Sequence, residues 1–174
     1  GSNVFTKLDV VIPVLHGSNG EDGIFEGVLE STGIPFAGCN TLSSANGMDK
    51  ITMKMILQAC DVPVVDYVWF TDKQWFSQRE QLIAKIEEKI GYPVIVRPAY
   101  TPDRESAEYC KTKESLAVKA EKSLETSIVS QILVEKSIAG WKELEFEVMR
   151  DKADNCISVG SVESVDPVGI HTGD

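Results

Sequence analysis

Histidine is scarce in this chain, with two in 174 residues, and the four cysteines, Cys39, Cys60, Cys110 and Cys156, are scattered with no CxxC spacing. Neither a zinc site nor a disulfide framework is expected from such a pattern, and reduced thiols in a cytoplasm fit it best. No apolar run approaches the ~20 residues that span a bilayer, so no membrane segment is expected. Gly1-Ser2 reads as a cloning remnant rather than the start of a signal peptide. Basic residues are outnumbered, 17 against 27 acidic, for a formal net charge of −10. That balance argues against broad binding to nucleic acid or anionic membranes, so any phosphate ligand must be held by a few local cations. What remains is ordinary globular material, 43% hydrophobic and 25% charged, enough for one large domain or two small ones.

Two short apolar runs organise the rest. Tyr92 to Pro98, YPVIVRP, and Gln131 to Ser137, QILVEKS, each read as a strand buried on both faces, and each ends in charge. One delivers Arg97; the other delivers Glu135 and Lys136. Fixed charges at the edge of an apolar cleft suit a nucleotide, whose phosphates need cations and whose base needs an apolar slot with a polar rim. The same residues also suit an ordinary strand end and a solvated ion pair.

Before these runs, Leu8 to Leu15 reads as a strand entering the turn His16-Gly17-Ser18-Asn19-Gly20-Glu21-Asp22-Gly23. A helix over Ile24 to Thr32 follows, with Ile24, Val28 and Leu29 on one face, and Ile34 to Gly38 reads as the next strand. A strand, a Gly-rich turn and a helix can present backbone N–H groups to an anion, although His16 equally suits a satisfied turn histidine. The strand-helix-strand unit is expected to pair in parallel. A polar connection, Thr41 to Lys50, leads to a helix over about Met48 to Ala59, with Ile51, Met55 and Ile56 sharing a face. Lys50, near its start, could reach a phosphate or simply lie on the surface. An extended stretch over Val62 to Phe70 precedes a helix from about Lys73 to Lys89, with Phe76, Leu82, Ile83, Ile86 and Ile90 as core positions and Gly91 as its cap. Thr112 to Leu124 reads as a helix with Leu116, Ala117, Ala120 and Leu124 inward. Leu144, Phe146 and Val148 alternate with Glu143, Glu145 and Glu147, the pattern of a half-buried strand with an acidic face, turning at Asp151 to Asn155 into Cys156 to Val162.

LDVVIPVLHGSNGEDGIFEGVLESTGIPFAGCNTLSSANGMDK, continuing to IGYPVIVRPA, resembles D-alanine:D-alanine ligase of the ATP-grasp superfamily through its HGxxGEDG and SSxxxMDK segments. ILVEKSIAGWKELEFEVMRDKADNCISVGSVESVDPVGIHTGD resembles the carbamoyl-phosphate synthetase large subunit through WKExExEVxRDxxDNC and DPxGIHTGD, and YPVIVRPAYT leans the same way. The pair of resemblances suggests two related pieces joined near residues 90 to 100, as in a chimera. They imply an α/β, ATP-grasp-like fold: a parallel strand-helix-strand unit, then a mixed α+β nucleotide-binding region. The implied parts are a ligase N-terminal remnant over 1–47, a small subdomain over 48–130 and the start of the large subdomain over 131–174.

The resemblance implies that Lys50 and Arg97 contact ATP phosphates. It gives the adenine edge to Glu135 and the backbone from Lys136 to Ile138, with Ile138 as an apolar wall, and the ribose hydroxyls to Glu143. His16 and Glu21 are implied near an amino-acid site, and Gly169, Ile170 and His171 near phosphates and ribose. The implied partners are ATP with Mg2+ and either D-alanine or bicarbonate, with a homodimer as one way to cover exposed edges. Three departures lead us to expect a chain incomplete for catalysis, and a non-enzymatic scaffold is the competing expectation. The stretch PDRESAEY, Pro102 to Tyr109, holds no glycine where the family has a flexible Gly-rich loop. The family's opening strand and its first glycine loop have no counterpart, and the sequence ends ahead of the family's Glu and Asn magnesium ligands.

Overall fold

In the computed structural model, residues 7–100 and 107–164 are described. The chain divides into two units, residues 1–136 and 137–174. The first unit is built on a four-stranded antiparallel sheet, β1 (Tyr67–Thr71), β2 (Val94–Pro98), β3 (Glu108–Cys110) and β4 (Gln131–Lys136), in the order β1-β4-β2-β3. Its helices are α1 (Ile24–Thr32), α2 (Thr41–Met48), α3 (Lys50–Ala59), α4 (Asp72–Lys89) and α5 (Lys113–Thr126).

Alternation along the strands divides the sheet into two unlike faces. Val68 and Phe70 of β1, Ile132 and Val134 of β4, Val94 and Val96 of β2 and Cys110 of β3 share one face. They pack with Trp75, Leu82, Ile83 and Ile86 of α4 and Leu116, Ala120 and Leu124 of α5 into the main core. Each large side chain removed from water there contributes roughly 1.5–3 kcal/mol. The helix expected over Thr112 to Leu124 is therefore present with its inward residues as read, begun by a Thr112–Ser115 capping box. Both charge-ended strands are also present, paired with each other so that Ile95 lies opposite Glu135 and Arg97 opposite Leu133. Of the two, β4 is buried on both faces from Ile132 through Glu135, whereas β2 is buried on alternate residues, Val94, Val96 and Pro98.

Several expectations need correction. Phe76 is 76% exposed and Trp75 is fully buried in its place. The helical rotation breaks at Gln78 (φ −137°, ψ 30°), which turns the first turns of α4 away from the phase set by Ile83 and Ile86. Trp75 then stacks on Phe70 with ring centroids 5.1 Å apart, and the Arg79 guanidinium lies over its ring. The polar connection over Thr41 to Lys50 is mostly helix: α2 is capped by Asn40, whose side chain accepts from the Ser43 amide. Asp49, in extended conformation, separates it from α3 and caps the latter by accepting from Thr52. In α3 the inward pair is Ile51 and Lys54, while Met55 and Ile56 are more than two-fifths exposed. In α1, Leu29 and Glu26 are buried and Ile24 and Val28 exposed.

The strand expected over Leu8 to Leu15 contracts to a parallel bridge, Val11 to Phe36, closed by Val11 N–H to Pro35 O and Ala37 N–H to Val11 O at 2.9 Å each. With a single bridging neighbour among the described residues, the rest of that run keeps its apolar side chains exposed.

The second unit holds an antiparallel hairpin of β5 (Leu144–Arg150) and β6 (Cys156–Glu163). Asp151 closes its turn by accepting from the amides of Ala153 and Asn155 at 2.8 and 3.0 Å. The expectation of a half-buried strand fails, since every residue of both strands is exposed. The acidic face is also mixed, because Glu145 lies opposite Val162 and an irregularity falls between Glu147 and Val148.

Candidate functional site

The face of the sheet turned away from α4 and α5 carries Tyr67 and Trp69, Leu133 and Glu135, Ile95 and Arg97, and Tyr109, a set fixed by strand register. Helix α3 covers part of it, packing Ile51 against Tyr67, Ala99 and Leu133. The same inward stripe of α3 carries Lys54 to Glu135, Nζ to Oε2 at 3.0 Å, while Arg97 Nη2 reaches Oε1 at 2.8 Å. Glu135 is thus held between two cations on separate oxygens, itself 8% exposed. Buried charges of this kind persist only when paired, which these are. Lys54 Nζ also sits 5.3 Å over the Tyr67 ring, and that ring is fixed by its hydroxyl donating to Gln58 at 2.8 Å.

Arg97 Nε is buried and has no acceptor among the described residues. A buried guanidinium donor left unmatched is costly, and it suits an acceptor brought by an anionic ligand. Lys50, the first residue of α3, donates its backbone N–H to Ala99 O at 3.0 Å, which ties the start of that helix to the strand end that carries Arg97. Lys50, Lys54, Arg97 and Glu135 therefore belong to one neighbourhood of the sheet. Lys136 does not share their face: it lies opposite Val94 on the helix-covered side, its side chain exposed and its amide donating to Asp66 O at 2.9 Å.

The glycine-rich loop is joined to the same strand end through Asp22. Tyr100 donates to Asp22 Oδ2 at 3.1 Å, and the amides of Asn19 and Ile24 donate to the same carboxylate at 2.9 and 3.1 Å. Burial pushes the Asp22 carboxyl up, but these hydrogen bonds outweigh it and hold it below the usual carboxylate value. Burial, together with its bond to Asp22, raises the Tyr100 hydroxyl. Glu21 is exposed and accepts from the Gly17 amide at 2.7 Å; His16 is exposed. Several of the loop's amides are therefore spent on its own carboxylates, which corrects the expectation that it offers them to an anion. Gly23 has a geometric reason to be glycine: at φ 91° a Cβ there would stand 2.5 Å from Thr41 O.

Ile138 and Glu143 lie in the second unit, both half-buried. Gly169, Ile170 and His171 fall outside the described residues, as does Pro102 to Ser106 of the glycine-free stretch. Among the described residues no group of three or more His, Cys, Asp or Glu side chains is placed to hold a metal ion. None of the described helices is long and apolar enough to cross a membrane. Sequence reading missed Lys54, Asp22 and Tyr100. Lys54 had a weak signal, a cation three residues beyond Ile51 on the inward stripe; the Asp22–Tyr100 bond joins residues 78 apart and had none.

Fold and sheet-face chemistry together define an ATP-grasp protein. The chain belongs to the family described as carbamoyl-phosphate synthase L chain, ATP binding domain, whose model matches residues 49–174. The D-ala D-ala ligase N-terminus model matches residues 1–39. Relatives of both kinds align along most of the chain. A D-alanine–D-alanine ligase of Acetivibrio thermocellus is 38% identical over 90% of this chain. A carbamoyl phosphate synthase large chain of Clostridium beijerinckii is 38% identical over 92%. Among solved structures, the VanG D-Ala:D-Ser ligase from Enterococcus faecalis superposes with a TM-score of 0.78 at 31% identity, over 92% of this chain. This chain spans 41% of the first relative, 15% of the second and 44% of the third.

Proposed function

We propose that this chain is the nucleotide-binding part of an ATP-dependent carboxylate–amine ligase of the D-alanine:D-alanine ligase kind, working through an acyl phosphate. The observation that carries this is the Arg97–Glu135–Lys54 cluster on the open sheet face, with the buried Arg97 Nε lacking an acceptor among the described residues. In this reading Arg97 and Lys50 draw in the phosphates, and Glu135 accepts from the exocyclic amino group of adenine while the half-buried Ile95 supplies apolar floor. ATP supplies the phosphoryl group that activates the carboxylate. The roles of the Lys136 to Ile138 backbone at the adenine edge and of Glu143 at the ribose rest on resemblance. So do those of His16 and Glu21 near an amino acid, and of Gly169, Ile170 and His171 near phosphates and ribose.

We read this chain as binding nucleotide without completing the reaction, an expectation that rests on the resemblance. The division into parts at residues 47 and 130, a cytoplasmic location and a homodimer belong to the same proposal. The carbamoyl-phosphate synthase alternative, with bicarbonate as the phosphoryl acceptor, is favoured by the family match over residues 49–174. Phosphate release assayed with D-alanine and, separately, with bicarbonate distinguishes the two. Release with neither, from a chain that binds ATP, supports the incomplete fragment. Nucleotide binding itself is tested by titration calorimetry of magnesium-ATP into the wild-type protein, Arg97→Ala and Glu135→Gln, each shown to be folded by circular dichroism. Both variants are expected to bind at least about ten-fold more weakly, the equivalent of ~1.4 kcal/mol.

A further inference from the structure

We propose that Lys54 is a positioning residue that orients Glu135 as a hydrogen-bond acceptor and so sets a preference for adenine over guanine nucleotides, an inference that rests on the ATP reading above. Lys54 is placed with unusual care for a lysine. Its side chain is 9% exposed, its stem follows Ile51 on the inward stripe of α3, and its ammonium lies over Tyr67, the residue directly opposite Glu135 in the β1–β4 register. Tyr67 is in turn fixed by Gln58 below its hydroxyl and by Lys89, which donates to its carbonyl at 3.0 Å.

With Lys54 on Oε2 and Arg97 on Oε1, the Glu135 carboxylate cannot rotate without breaking a charged contact. Its remaining lone pairs then point in fixed directions. A carboxylate offers no donor. Adenine carries an amino group where guanine carries a carbonyl, so the held carboxylate matches the first and opposes the second, lone pair to lone pair. A site built to hydrogen-bond one partner rejects the analogue that leaves its polar group unmatched. If Lys54 is removed, Arg97 alone holds Glu135, from the more open side of the cluster, and the carboxylate can turn away from the base.

The test is titration calorimetry of magnesium-ATP and magnesium-GTP into the wild-type chain, Lys54→Met and Lys54→Arg. Wild type is expected to prefer ATP by at least about ten-fold. Lys54→Met is expected to lose about ten-fold in ATP affinity with GTP affinity nearly unchanged, collapsing the ratio, and Lys54→Arg to restore most of it. A merely structural lysine would weaken both nucleotides together; an unchanged ratio in Lys54→Met therefore overturns the inference while nucleotide binding stands. Should circular dichroism show Lys54→Met unfolded, Lys54→Gln is read by the same ratio. A folded wild-type chain that binds neither nucleotide overturns the ATP reading and this inference with it. Equal binding of both by wild type overturns this inference alone.

Discussion

Asp22 makes one acid-dependent contribution to the stability of the N-terminal loop. Asp22 receives two backbone amides and the Tyr100 hydroxyl, and its folded pKa lies below its ordinary value of 3.8. A depressed carboxyl contributes stability that is fully present above the unfolded value and is lost as pH falls through the folded one. Urea denaturation as a function of pH is expected to show this loss below about pH 4 in wild type and to show it reduced in Asp22→Asn, which should also be less stable at neutral pH. Equal pH profiles for the two would contradict the role given to Asp22. A second residue-level test concerns Glu135. Replacing it with Leu leaves Lys54 buried without its carboxylate, and should cost about 3–5 kcal/mol in urea denaturation. A cost under about 1 kcal/mol would mean that solvent reaches Lys54 more freely than its burial indicates.

Among the elements, α4 shows most clearly what could and could not be read in advance. Its ends, its length and the burial of Leu82, Ile83 and Ile86 follow from helical spacing and from the Thr71–Gln74 capping box. Phe76 and Trp75 were exchanged because the break at Gln78 shifts the phase, and no residue there announces a break in the way that proline would. Trp75→Ala is accordingly expected to cost about 3–5 kcal/mol, whereas Phe76→Ser should stay within about 0.5 kcal/mol. Comparable losses from both would contradict the observed phase.

Helix α2 escaped the sequence reading for a different reason: it buries none of its residues, so the apolar period that betrays a helix is missing. What marks it is its Asn40 cap and the close approach of Thr41 to Gly23. Gly23→Ala should therefore destabilise by about 1–2 kcal/mol or more from backbone strain alone, read from the urea midpoint. Strands β2 and β4 were legible because short apolar runs ending in charge have few other solutions. Their mutual pairing, and the arrival of Lys54 from α3, depend on contacts between distant segments that no local pattern encodes.

On the scale of the whole molecule, a chain of net charge −10 gathers Lys54 and Arg97 around one glutamate on the half-open face of its sheet, with Lys50 at the start of the helix that covers it. The other face is filled by α4 and α5 and serves the core. The division of labour between faces follows from strand alternation, and the open face is where a ligand would meet both apolar floor and charge. The most direct measurement is titration of magnesium-ATP into the folded wild-type chain and into Arg97→Ala. Saturable binding, weakened at least about ten-fold by the substitution, is the expected result. No heat from the folded wild-type chain, or equal affinity in the variant, would contradict the assignment of this sheet face as a nucleotide site.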